Sequence, residues 1–416
     1  MLIADFHIHS KFSRACSKNL TLPNIAATCE SKGINLVATS DFTHPAWMKH
    51  IETELEESAS GIFALTGERS STRFLLVTEI SSIYSQGGKV RRVHSLVFAP
   101  SIACAKKFIA TLEERGCNLK ADGRPIVGVS AKELLRIAHE ISPDMELVPA
   151  HAWTPWFSVF GSKSGFDSLE ECFEELTPLV HAIETGLSSD PAMNWQVSKL
   201  DTITLISNSD AHSLEKLARE ATVFNIDPSS RYTYLDIVGA IREQKSGVLK
   251  ETIEFFPEEG KYHIDGHAAC NFSCAPHETA KLDGVCPKCG KKMTIGVLSR
   301  VHDLTDRLPH EVIHSIHIPF RTIIPLIELI AHVNGTSVAS KKVHARYDEM
   351  IKKLGSEFSI LLEVPIKKIS EDVGSDIADA IASVRLNNVK LTPGFDGVFG
   401  KIDVIKKVSV AQQKLL

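Results

Sequence analysis

No stretch of this sequence is apolar enough to cross a membrane without interruption. The most apolar run, residues 316–333, is bent by Pro319 and Pro325 and carries Arg321, Glu328 and His332, which argues against a membrane span. No secretory leader is expected, since Asp5 and His7 interrupt the N-terminal apolar segment and no cleavage pattern follows; a cytoplasmic protein is expected. A strong net charge is missing. Against 46 Lys and Arg stand 51 Asp and Glu, a balance of −5, so the mean charge does not advertise a polyanionic partner. That mean hides basic clusters at Lys89, Arg91 and Arg92, at Lys288, Lys291 and Lys292, and at Lys401, Lys406 and Lys407, each of which reads first as a solvated face. A disulfide framework is absent as well: the cysteines number nine, and Cys16, Cys29, Cys104, Cys117 and Cys172 are scattered singly.

What is present begins at once. Leu2-Ile3-Ala4-Asp5-Phe6 runs into His7-Ile8-His9, and on an extended strand that spacing turns both imidazoles to one face, where a single cation can take them. Later apolar runs also end in ligand-type residues: 34–39 leads to Asp41, 74–77 to Glu79, 90–93 to His94, 147–150 to His151, 180–183 to Glu184, and 204–207 to Asp210 and His212. Short runs of this kind read as buried parallel strands. Helical spacing fills the gaps at 22–31, 104–115, 130–141 and 168–176, with Gly33, Gly116 and Pro178 as stops and Ser130 with Glu133 as a start. The alternation predicts an α/β fold, a distorted βα barrel of about seven strands, in which functional residues collect where strands end. One buried His or Asp is ordinary scaffolding. So many imidazoles and carboxylates at equivalent strand ends would be costly without a cation between them. Their donors suit Zn²⁺, Mn²⁺ or Fe²⁺.

A second metal signature lies downstream. Cys270 and Cys274 form C-x3-C, eleven residues intervene, and Cys286 and Cys289 form C-x2-C followed by Gly290. Four thiolates in paired knuckles predict a closed structural zinc site, with His267 and His277 outside the ligand set. After it, residues 300–416 read as a small helical region, with helices at 340–354 and 372–382 and a tight Gly394 to Gly400 turn. The 43% hydrophobic content of 416 residues supports two or three domains: 1–255 for the barrel, 256–299 for the zinc module and 300–416 for the helical part.

The barrel motifs resemble the PHP (polymerase and histidinol phosphatase) superfamily of metallo-phosphoesterases: His7-Ile8-His9, Ser40-Asp41, Glu79, His94, His151 and Asp210-Ala211-His212. The resemblance implies two or three divalent ions, with Zn²⁺, Mn²⁺ or Mg²⁺ as candidates. His7, His9, Glu79 and Asp210 would hold one ion, Glu79 would bridge to a second on His94 and His151, and His212 would belong to a third. Asp41 is expected as a ligand or as a partner behind one. This chain departs from the common pattern in having Asp41-Phe42 where Asp-His is usual, which leaves Asp41, His44 or Cys16 to serve the third site. Glu79, Asp210 and His212 are the candidate catalytic residues.

Together with the four-cysteine module, the stretches Thr39-Ser40-Asp41-Phe42-Thr43-His44-Pro45, Ala150-His151-Ala152-Trp153-Thr154-Pro155-Trp156-Phe157, Ile183-Glu184-Thr185-Gly186 and Gly284-Val285-Cys286-Pro287-Lys288-Cys289-Gly290 resemble the endonuclease Q branch of that superfamily. The resemblance implies hydrolysis of damaged DNA, double- or single-stranded, on the 5′ side of deaminated bases (uracil, hypoxanthine, xanthine) and abasic sites. It implies a monomer at the nucleoid, with a sliding clamp as a candidate recruiter. Trp153 and Trp156, just beyond His151, are the candidate DNA-contacting aromatics, since a base taken out of its stack needs a flat apolar partner. Two rivals remain at this stage: a small-molecule phosphatase, which needs no zinc module or helical region, and an inactive DNA-binding barrel, which needs no retained ligand set.

Overall fold

The computed structural model describes residues 1–67, 70–244 and 247–404. Residues 408–416, in which no clamp-binding pattern is read, lie outside them, as do Lys406 and Lys407.

The barrel wall is built from three separately hydrogen-bonded sheets. The largest runs, in spatial order, Phe320–Thr322, Leu249–Glu254, Ala221–Phe224, Leu2–Asp5, Leu36–Ala38, Arg73–Leu75, Ile62–Leu65 and Leu55–Ala59. Leu2–Asp5 pairs parallel with Leu36–Ala38, which pairs parallel with Arg73–Leu75. A four-stranded sheet follows (Ile126–Val127, Val77–Gln86, Lys89–Phe98, Glu146–Pro149), and the parallel pair Ala182–Glu184 and Thr204–Ile206 completes the wall. Ile8 and Ala211 form an isolated parallel bridge across the seam. Helices Leu22–Lys32, Ile102–Glu114 and Ala131–Ile141 lie where the spacing predicts them, the first ended by Gly33 at φ 87°. Ser130 caps the last by accepting from the Glu133 N–H at 3.1 Å, as its position before an apolar periodic run requires.

One expectation is corrected here. Val77–Gln86 and Lys89–Phe98 are a long antiparallel hairpin rather than two parallel strands. The turn between them is Gly87-Gly88, both residues at positive φ (61° and 72°), the two-residue geometry that joins antiparallel strands directly. Glu79 and His94 therefore sit within strands. In the register Glu79 faces Leu96 and Ser81 faces His94, which makes Glu79 and His94 diagonal neighbours on one face of the sheet.

The C-terminal region contains the helices Leu326–Asn334, Lys341–Leu354, Glu357–Leu362, Ile366–Val373 and Ser375–Arg385. It is not helical throughout. Val389–Thr392 and Lys401–Val404 form a hairpin, and Phe320–Thr322 joins the barrel sheet beside Leu249–Glu254. One continuous apolar cluster extends from Leu2 to Val404, so residues 300–404 share their core with the barrel. Buried Lys32 on the first helix meets Glu357 at 3.1 Å, and Glu357 also accepts from the Tyr347 hydroxyl and the Leu326 N–H. Cys274, Cys286 and Met293 form a small separate cluster in the cysteine module. Among the described residues no helix is long and apolar enough to cross a membrane.

Candidate metal centre

The strand ends and the hairpin deliver their side chains to one cleft. Ligand atoms of His7, His9, Glu79 and Asp210 lie within 4.8 Å of one another, and so do those of Glu79, His94 and His151. Glu79 belongs to both groups, one oxygen to each. Its Oε2 stands 3.3 Å from His7 Nε2 and 3.3 Å from His9 Nε2, while its Oε1 stands 2.6 Å from His94 Nδ1 and 3.3 Å from His151 Nε2. Asp210 Oδ1 completes the first group at 3.1 Å from His9 Nε2 and 3.4 Å from His7 Nε2. His7 Nε2 is buried and has no hydrogen-bond partner. Several chain turns at this cleft are tight: Ser40, Asp41, His151 and Asp210 all have positive φ (56°, 37°, 30° and 46°), a conformation non-glycine residues adopt only where the surroundings enforce it.

The electrostatics favour positive charge in this cleft. Burial alone would lower the His7 imidazole, but Glu184, Glu79 and Asp210 outweigh it and hold His7 well above its ordinary value. His9 is raised in the same way against its burial, by Asp210, Asp41 and Glu79. Glu79 and Asp210 are pulled well below the carboxylate range despite burial, Glu79 by His94, Arg124 and His7, and Asp210 mainly by His7 and His9. Burial pushes His94 down to about 4, leaving it a neutral donor at physiological pH. Imidazoles that gather protons among ionised carboxylates are the expected state of a cation site, because metal and protons compete for the same donors. Both groups fit divalent cations by donor type.

Around these donors is a supporting layer whose hydrogen-bond partners the sequence did not reveal. Glu184, at the end of its strand, accepts from His7 Nδ1 at 2.9 and 3.0 Å, from the His151 N–H at 2.7 Å and from Asn208 Nδ2 at 2.9 Å. Asp41 stands behind His9 rather than among the donors: its Oδ1 is 3.4 Å from His9 Nδ1, and its Oδ2 accepts from the Ser10 N–H at 2.7 Å and the Ser13 hydroxyl at 2.8 Å. Carboxylates in such positions fix ring orientation and tautomer. Arg124, from a loop with no recognisable motif, donates to Glu79 Oε2 at 3.1 Å. His212 packs against His9 with ring centroids 4.5 Å apart, and its Nδ1 is 2.9 Å from the Asp210 carbonyl.

Of the three residues left to serve a third site, Asp41 stands behind His9, and among the described residues neither His44 nor Cys16 joins a donor group. His44 stacks on Phe12 at 4.5 Å, and burial lifts the Cys16 thiol to about 12. Phe42 is fully buried against Phe108. The two tryptophans part company. Trp153 is 1% exposed, packs on Phe160 and donates to Asn194 Oδ1 at 2.7 Å, so it is core rather than a DNA contact. Trp156 is 38% exposed and meets Tyr262 edge-on at 5.4 Å.

In the cysteine module the expected four-thiol set is also revised. Ligand atoms of His267, Cys270, Cys286 and Cys289 lie within 4.8 Å of one another, whereas Cys274 Sγ is buried beside Thr279 Oγ1 at 3.2 Å. The reason is local. Ala268–Cys270 is a 3-10 turn with His267 at its start, and residues three apart on such a turn eclipse one another. Cys274 ends the extended strand Phe272–Cys274, which carries it away. The Cys286 N–H donates to the Lys291 carbonyl and the Gly290 N–H to the Cys286 carbonyl, both at 2.8 Å, a knuckle that aims its thiols inward. One imidazole and three thiols suit a closed tetrahedral zinc.

Comparison with known proteins places this geometry. The family model described as the MJ0043 C-terminal domain matches residues 325–388. Uncharacterized protein MJ0043 of Methanocaldococcus jannaschii is 31% identical over 257 residues, 61% of this chain, which spans 31% of that protein's length. Uncharacterized protein YqxK of Bacillus subtilis is 30% identical over 96% of this chain and 99% of its own. The crystal structure of the lesion-specific endonuclease PfuEndoQ from Pyrococcus furiosus matches with a TM-score of 0.86 and 29% identity, covering 100% of this chain and 99% of that one. Endonuclease Q in complex with a 27-mer duplex substrate with an abasic lesion at its active site matches with a TM-score of 0.85 and 31% identity, covering 97% of this chain and 96% of that one.

Proposed function

Because the chain belongs to the endonuclease Q branch of the PHP superfamily, we propose that it is a metal-dependent DNA repair endonuclease. It hydrolyses the phosphodiester on the 5′ side of abasic sites and of deaminated bases (uracil, hypoxanthine and xanthine), leaving 3′-hydroxyl and 5′-phosphate ends. The observation that carries this reading is Glu79, whose two oxygens each face a separate donor group in a chain that matches endonuclease Q over nearly its whole length.

His7, His9, Glu79 and Asp210 would hold one divalent ion, and Glu79, His94 and His151 a second. When bound, such a pair activates water near neutral pH and screens the charge of a phosphoryl group under in-line attack. The remaining residues have their own tasks. Arg124, partly exposed beside Glu79, meets a non-bridging phosphate oxygen through a charge-assisted bond. His212 presents its Nδ1–H to the Asp210 carbonyl, and burial lowers its pKa, so Nε2 is free to accept and return a proton at the scissile ester. Glu184 and Asp41 keep His7 and His9 aimed into the cleft. His267, Cys270, Cys286 and Cys289 would hold a structural zinc that shapes the wall opposite the barrel.

The test is incubation with labelled duplex carrying one deoxyuridine or one abasic site, with and without chelator, beside histidinol phosphate and an aryl phosphate. A single nick 5′ to the lesion, lost with chelator and restored by Mn²⁺, is expected. Turnover of the small phosphates with intact lesion DNA would overturn the reading.

A further inference from the structure

The turn at residues 394–400 holds two apolar side chains out to solvent on a frame with little freedom. Val398 is 44% and Phe399 67% exposed. Beneath them the Gly394 N–H donates to the Glu258 carbonyl at 2.8 Å, the Gly397 N–H to Lys261 at 2.8 Å and the Gly400 N–H to Glu259 at 3.1 Å, while the Ile264 N–H returns to Gly394 at 3.1 Å. The Asp396 carboxylate takes the Ala268 N–H at 2.6 Å and the Thr294 hydroxyl at 2.5 Å. The flanking glycines are required by contact: a Cβ on Gly394 would lie 2.5 Å from the Gly260 carbonyl oxygen, and one on Gly400 2.0 Å from that of Glu258. A turn pinned this closely could have buried its apolar residues, as it does Phe395. It displays two of them instead.

The surroundings have the chemistry of nucleic acid. Lys261 Nζ lies 5.4 Å from the Phe399 ring centroid and 6.0 Å from that of Tyr262, and Tyr262 meets the exposed Trp156. From Trp156 the line continues inward. The Trp156 carbonyl accepts from Thr154 Oγ1 at 3.0 Å, and Thr154 Oγ1 is 3.1 Å from Nδ1 of His151 in the candidate metal centre. The patch of Phe399, Tyr262 and Trp156, with a lysine over two of its rings, is thus tied to the cleft through the loop that carries both Trp156 and His151. Rings of this kind stack with any base, and a lysine beside them meets the backbone.

We propose that Val398 and Phe399 form a wedge that enters the base stack of duplex DNA next to the lesion, with Lys261 on the adjoining phosphate. The wedge occupies the gap left as the damaged nucleotide turns toward the metal centre and so offsets part of the unstacking cost. This inference rests on the endonuclease reading above.

Phe399→Ala and Phe399→Trp separate the two ideas. Both variants should melt at the wild-type temperature, since the side chain is exposed. On fully paired duplex with one deoxyuridine, Phe399→Ala should nick roughly tenfold to a hundredfold more slowly. With the lesion in a short mispaired bubble, where unstacking is already done, it should match wild type, and Phe399→Trp should keep duplex activity. A 2-aminopurine beside the lesion should brighten on binding of chelator-stripped wild type and not of Phe399→Ala. Equal duplex rates for wild type and Phe399→Ala, equal slowing on duplex and bubble, or no brightening with wild type would overturn the wedge and leave the endonuclease reading standing. Failure of wild type to nick either lesion substrate would overturn both.

Discussion

Glu184→Gln is the smallest change that asks whether the candidate centre is held in place from behind. Three donors converge on this carboxylate: His7 Nδ1, the His151 N–H and Asn208 Nδ2. A carboxylate suits them because it only accepts. A glutamine cannot. In one orientation its NH₂ confronts Asn208, in the other the His151 backbone, and a buried donor left facing a donor costs about 1–3 kcal/mol. The charge that keeps His7 oriented also disappears, and loss of such an outer partner lowers metal affinity by about 10- to 100-fold. At about 1.4 kcal/mol per decade the two estimates share a scale. Chelator-stripped variant and wild type would be titrated with Mn²⁺ by calorimetry and by nicking rate. The half-saturating Mn²⁺ concentration should rise about 10- to 100-fold, with turnover recovered at saturation. An unchanged half-saturation point in a variant with wild-type circular dichroism would refute the argument, as would lost activity that no excess of metal restores.

Other outcomes follow from the same geometry. Asp210→Asn removes a donor from the first group and should lower nicking by more than about 100-fold, beyond the range for an outer partner, while a gel-shift assay shows lesion DNA still bound. His267→Ala should release zinc, read as zinc per chain with a colorimetric chelator, whereas Cys274→Ser should retain it; the reverse result would restore the four-cysteine set. Glu254 is buried, and burial lifts its carboxyl to about 8. The unfolded chain gives up that proton near the ordinary value, so rising pH favours unfolding from about 4.5 until about 8 and has no further effect above it. The melting temperature should fall by several degrees, roughly, between pH 6 and 8.5, and Glu254→Gln should flatten that slope.

The donors were legible because each ends or faces an apolar run, and strand periodicity is a local signal. His7 and His9 declare themselves by spacing alone. What surrounds them was not legible, since Arg124 arrives from an irregular loop and the role of Glu184 depends on Asn208 and His151 reaching it from other strands. Cys274 was misassigned because spacing counts residues and not their path: a 3-10 turn brings His267 over Cys270, and an extended strand takes Cys274 away. Trp153 was misread for a different reason. Its indole N–H finds Asn194, some forty residues on in the chain, and no local pattern foretells that a tryptophan beside a ligand will be sealed in. The parallel reading of 77–98 failed at Gly87-Gly88, a hairpin signal hidden between two apolar runs.

The pairing of Phe320–Thr322 with Leu249–Glu254 bears on how this protein can be divided. Cut before residue 320, the barrel would show an unprotected row of amides and carbonyls, an invitation to self-association. Residues 325–388, for their part, cannot be transplanted onto another barrel as a free cassette, because the main-chain seam just upstream of them would have to travel too.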